Sequence, residues 1–147
     1  HYQAANYKTA DSIFCNVYQG KYPNEIYGYL WCARSLQAQD TTMEQGLAVE
    51  AYKKLAEMAM KIDSVKFKNQ AVSSHFYLVS YYNDIKKDKE AAVSHINRVL
   101  AIDPSNADAA RIREILIKPA RPTQPQSKPK PKTSTSSAKS SNAGAKK

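Results

Sequence analysis

One pattern of side-chain sizes returns three times along the chain: Ala10, Phe14, Val17; Ala48, Tyr52, Leu55; and Ala92, Ile96, Val99. The small residues stand 38 and 44 positions apart, the length of a helix pair with its turns. A small residue lets two helices approach closely, and the larger residues four and seven places on share its helical face and fill the groove between pairs. A single pair built this way cannot bury its apolar face alone, so neighbours must stack beside it.

The surrounding sequence supports helices throughout. Apolar residues recur at three- and four-residue intervals, as in Ala48, Ala51, Tyr52, Leu55, Met58 and Ala59. No run alternates Val, Ile or Thr between hairpin dipeptides, so strands have nothing to start from. Breakers predict six helices, near 6–19, 24–38, 43–61, 66–85, 88–101 and 106–117. Gly20 and Pro23 part the first two, because Gly favours a helix C-terminus and Pro is tolerated only in a first turn. Thr41 and Glu44 have capping-box spacing for the third helix, and Ser105 with Asp108 has a similar one for the sixth.

The formal charge of +9 is unevenly spread. From Lys118 onward there are eight Lys or Arg and no acid, whereas residues 1–117 carry 14 bases against 13 acids. Residues 118–147 therefore read as a disordered basic tail rich in Pro, Lys and Ser, with too little apolar surface to offset ordering. No stretch approaches the roughly 20 consecutive apolar residues of a membrane-spanning helix. A chain opening at His1 reads as a mature form or an excised fragment. Cys15 and Cys32 lack metal or redox spacing and read as two small buried apolar side chains. A bridge between them stays open if their helices pack antiparallel, since geometry rather than spacing decides that.

At the repeated residues the chain resembles the tetratricopeptide repeat (TPR), whose second helix carries Ala, an aromatic and another apolar residue at this spacing, then a Pro. Ala92, Ile96, Val99 and Pro104 in "AAVSHINRVLAIDPSNADA" fall on that pattern. Phe76, Val79 and Ser80 take the first-helix positions upstream, as Tyr29, Cys32 and Ala33 do in the middle unit. Departures are Asn83 for the usual first-helix Tyr, Met60 near the expected Pro, and longer loops around residues 40 and 64. The resemblance spans residues 6–117 and implies an all-α fold: a right-handed superhelical stack of antiparallel helix pairs, a TPR-like α-solenoid of about two and a half repeats. Residues 1–117 then form the repeat domain, and the wording of "GYLWCAR" and "YYNDIKKDKEAA" is similar to the final repeats of larger, envelope-associated bacterial TPR proteins. That likeness favours periplasm or cell envelope over cytoplasm.

The resemblance also implies roles. Ala10, Phe14, Ala33, Ala48, Tyr52, Ser80, Ala92, Ile96 and Pro104 serve repeat packing. Tyr27, Leu30, Arg34 and Gln37 in one repeat, and Ser74, Tyr77, Tyr81 and Asp84 in the next, face a partner on the concave surface. Tyr and Arg suit such a surface because they join large contact area to a directional polar end. The competing reading has these tyrosines covering helix edges. Tyr27, Leu30 and Arg34 do not reproduce the Lys, Asn and Arg set with which some members grip a chaperone's C-terminal carboxylate, so no such clamp is expected.

No convergent catalytic set is visible. His1, His75 and His95 make no HxxxH or HExxH pattern, no GxSxG elbow surrounds Ser73 or Ser74, and four glycines form no phosphate loop. The expectation is a non-catalytic scaffold for a protein or peptide, with no cofactor, no metal and no nucleic acid, since the body lacks a cationic groove for its tyrosines to line. The alternative is a polyanion- or membrane-surface-binding protein acting through the basic tail. Ile13, Phe14 and Val17 on a first helix without a partner also predict a homodimer through that end.

Overall fold

The computed structural model describes residues 6–118. Within them the chain forms six helical elements and no strand. The first, α1, runs through Tyr7–Asp11, Ser12–Tyr18 and Gln19–Lys21 without interruption. Its middle is widened into π geometry, so that the Gln19 N–H reaches the Phe14 carbonyl five residues back. α2 is Ile26–Gln39 and α3 is Val49–Asp63. α4 is Lys68–Ser80, extended by a π turn over Tyr81–Ile85; α5 is Lys89–Ile102 and α6 is Ala107–Ile117. Each helix packs chiefly against its neighbours in the chain, giving adjacent pairs in sequence order. The predicted basic tail lies, apart from Lys118, outside the described residues, as does His1.

Two clusters make the core. The larger joins Tyr29 and Ala33 of α2, Tyr52, Leu55 and Ala59 of α3, and Ala71, Tyr77 and Leu78 of α4. The smaller joins Val79 of α4, Ala92, Ile96 and Val99 of α5, and Ala109 of α6. Ala33, Ala48, Ala59, Ala71, Ala92 and Ala109 are wholly buried, as close helix approach requires. Ala10 and Phe14 are only half-buried, Ser80 likewise, and Pro104 is exposed where the chain turns toward α6.

The loop before α3 corrects one expectation. Helix geometry begins at Val49 and not near residue 43, and no Thr41–Glu44 capping box forms. Met43 and Gly46 instead take left-handed backbone angles, φ 62° and 67°, which turn the chain in place of starting a helix. The buried Asp40 carboxylate accepts the Leu47 N–H at 3.3 Å and holds this turn shut. A Cβ at Gly46 would stand 2.7 Å from the Tyr81 hydroxyl, so glycine is required there on two counts.

A second correction concerns α6. Its cap is Asn106, whose side chain accepts the Ala109 N–H at 3.0 Å, while the Ser105 hydroxyl is spent on Asp103. Asp88 caps α5 in the same way, through the Ala91 N–H. Lys68 pairs with Asp103 at 3.1 Å and, as its largest influence, holds that carboxyl below the usual range.

The third correction is covalent. Cys15 and Cys32 are not two separate apolar side chains but a disulfide, their Cα atoms 4.9 Å apart. The bridge binds the π segment of α1 to the middle of α2, where Phe14 also leans on Trp31 with ring centroids 6.2 Å apart.

Candidate functional site

α2, α3 and α4 enclose a cleft of about 490 Å³. Leu30, Arg34 and Gln37 come from α2, at offsets of four and three that set them on one face. Tyr52 and Leu55 of α3 form the floor, and Met43 closes one side from the preceding loop. The opposite wall is a polar ladder along α4: Asn69, Gln70, Ser73, Ser74, Tyr77 and Ser80, with Phe76 among them.

The polar groups of the cleft divide into used and unused. The Tyr52 ring stacks on Tyr77 with centroids 4.1 Å apart, and its hydroxyl donates to Gln37 Oε1. The Ser74 hydroxyl donates to the Gln70 carbonyl at 2.7 Å and so belongs to the helix itself. Among the described residues, Tyr77 Oη and Gln70 Oε1 are buried with no hydrogen-bond partner, as is Asp40 Oδ1 behind the cleft. Burial, followed by Tyr52, Asp40 and Tyr81, pushes the Tyr77 hydroxyl up to about 12. It therefore keeps its proton at neutral pH and remains a donor. Burial also raises Tyr52, against the pull of Arg34. Arg34 is the one charged residue lining the cleft, and its guanidinium lies 5.3 Å from the Trp31 ring centroid.

Not every residue assigned to the concave surface by resemblance lines this cleft. Arg34, Gln37 and Tyr77 do, together with Leu30 and Ser74. Tyr27 is 60% exposed in a separate depression beside Asn24, Ile62 and Phe67. Tyr81 is buried beneath Gly46, and Asp84 is exposed, bonded to Asn83. The π turn at Tyr81–Ile85 bears on Asp84, since it rotates the side chains that follow its start off the face an α-helix would give them.

A second cleft, of about 510 Å³, lies among α3, α4 and α5 and is lined by Lys53, Glu57, Met60, His75, His95 and Arg98. At its base His75 Nδ1 faces His95 Nδ1 at 3.2 Å, and the His95 ring stacks on Tyr82. Burial, then His95 and Arg98, lower His75 to about 4; burial, then Arg98 and Lys53, also lower His95. Both rings are neutral at pH 7, so one Nδ1–H donates to the other. Sequence reasoning missed this pair, because residues twenty apart on different helices carry no motif. Among the described residues, no group of three or more His, Cys, Asp or Glu is placed to hold a metal ion, and no helix is long and apolar enough to cross a membrane.

The comparisons with known proteins point one way. The chain is similar to the crystal structure of the C-terminal part of a TPR repeat-containing protein from Cytophaga hutchinsonii, with a TM-score of 0.62 and 38% sequence identity. The likeness covers 71% of this chain and 40% of that one, so the chain spans well under two thirds of its relative's length. No family model and no curated protein matches the chain.

Proposed function

We propose, for a chain that is a TPR-like helical repeat, that it is a non-catalytic scaffold holding a peptide or protein partner in the cleft among α2, α3 and α4. A TPR-like fold suggests protein partners in general. The observation that supports this particular surface is its mixed lining, in which exposed Arg34, Asn69 and Ser73 offer polar groups along the walls. Leu30, Leu55 and Phe76 beside them supply apolar contact.

The Cys15–Cys32 bridge supports residence in an oxidising compartment such as a periplasm or cell exterior, where a disulfide persists. The test is affinity capture by the full chain, with Leu30→Glu as the cleft variant and Gln replacements of the Lys residues after 118 as the tail variant. A partner lost on Leu30→Glu and kept by the tail variant supports the scaffold. Capture that depends on the tail and disappears at moderate salt would instead support polyanion or membrane-surface binding.

A further inference from the structure

We propose that the second cleft, among α3, α4 and α5, is a binding site for a small organic anion, its oxyanion head held by Arg98 and Lys53 beside the His75–His95 pair and its apolar body against Ala56, Met60 and Leu78. This cleft is separate from the scaffold surface. His75 and Leu78 leave α4 on the side opposite Asn69 and Ser73, so the two clefts open on different faces of the stack. α3 and α5 each pack on α4, and the space between them holds about 510 Å³, the size of a small-molecule pocket. Three apolar side chains with a few convergent polar ones make the lining such a ligand needs.

Charge selects the ligand's sign. From α3 come Lys53, whose ammonium also bonds Glu50 at 2.8 Å, and Glu57, which is paired with Lys54 at 3.4 Å. From α5 comes Arg98, exposed and in no ion pair among the described residues. α4 brings the His75 ring, and the turn after it brings Tyr82, stacked on His95. The one acid lining the cleft thus has its own cation, and the charge of Arg98 is unmatched. Low-dielectric walls focus that field into the space between them. Two imidazoles also suit a metal ion, but Arg98 and Lys53 oppose a further positive charge there.

The histidines couple the site to protons. Burial, then His95 and Arg98, hold His75 at about 4, and burial, then Arg98 and Lys53, hold His95 down as well. An anion seated beside the rings offsets those cations, so one ring takes up a proton as the anion binds, and by reciprocity protonation tightens the anion. One proton fits the pair as it stands. A ring protonated on both nitrogens still donates from Nδ1 to the facing Nδ1 at 3.2 Å. A rise of one pH unit in a ring's midpoint corresponds to about tenfold in affinity.

The experiment titrates benzenesulfonate, an anion that does not itself take up protons in this range, into the full 147-residue chain at constant ionic strength, followed by the histidine ring signals in NMR. Expected are saturable movements of the His75 and His95 signals and binding about tenfold tighter at about pH 5.5 than at about pH 7.5. Saturation should raise the midpoint of one of the two rings by about one pH unit. Sulfate, the head alone, and benzyl alcohol, the body alone, bind more weakly. Arg98→Gln, at an exposed position, weakens benzenesulfonate about tenfold and lets both midpoints rise in the free chain, which a purely structural residue would not do. Gln replacements of the Lys residues after 118 leave the binding unchanged. Binding that disappears in that tail variant, or that Arg98→Gln leaves undiminished, overturns the proposal. Equal affinity at the two pH values overturns it, as do His75 and His95 signals that benzenesulfonate does not move. Benzyl alcohol binding as tightly as benzenesulfonate makes the cleft an apolar cavity and overturns it too.

Discussion

α1 and α4 sit in the same stack under different conditions. α1 packs chiefly on α2, buries no residue fully, leaves Ile13 47% and Val17 64% exposed, and is tied to α2 by the Cys15–Cys32 bridge. α4 lies between α3 and α5, buries Ala71 and Leu78 completely, and has no covalent tie. α6, at the other end, also rests mainly on one neighbour; it buries Ala109 and is held by the Asn106 cap and by Arg113 donating to Asn97 at 2.7 Å. In a stack whose stability is a sum of neighbour contacts, a helix with one interface needs a second kind of tie. A helix with two does not.

The largest effect that can break this contrast is at the middle. Leu78→Ala, at a wholly buried position, is expected to lower unfolding stability by roughly 3–4 kcal/mol, read as a shift of the denaturant midpoint. A loss below about 1 kcal/mol would mean that α4 is not the packed centre. Next comes the covalent tie. Cys32→Ser, opening a loop of sequence separation 17, is expected to cost about 3 kcal/mol. Hydrogen exchange should localise that loss to α1, with α3 and α4 keeping their protection; a uniform loss would contradict the division.

Acid sharpens the contrast from the other side. The His75 and His95 rings face each other, with Arg98 of α5, Lys53 and Glu57 of α3 and Tyr82 around them, and both are held below the ordinary value of 6.5, His75 at about 4. Unfolding frees imidazoles that take protons more readily than the folded ones do. The stability they contribute is thus fully present above 6.5 and is lost as pH falls toward 4. A loss on the order of 2 kcal/mol across that window is expected, confined to α3, α4 and α5, which the disulfide does not hold. His75→Asn should flatten the dependence; an equal acid loss in that variant would place its cause elsewhere. The smallest effect is at the far end, where Asn106→Ala should cost about 1 kcal/mol and fray α6 alone in hydrogen exchange.

Much of the fold was legible because it is local. The threes and fours of Ala48, Tyr52 and Leu55, or of Ala92, Ile96 and Val99, specify a helix and its inner face within a few residues. The likeness to the TPR then placed Ala33 and Ala92 at contacts where the structure finds them wholly buried. The cleft was legible in part. Leu30, Arg34, Gln37, Ser74 and Tyr77 converge on it, but Gln70 was not singled out, and Tyr27, Tyr81 and Asp84 lie elsewhere. The π geometry at Tyr81–Ile85 accounts for the place of Asp84. That geometry has no sequence signature of its own.

By itself the sequence determined the six helices, their repeat, the near-neutral body and the concentration of positive charge after residue 117. Only the tertiary structure decided that Cys15 meets Cys32, that His75 meets His95, and that Tyr77 and Gln70 are left with unpaired atoms beside Arg34. Periodicity fixes which way a side chain points from its own axis. What it meets depends on the crossing and offset of two axes, which the packing of the whole stack sets.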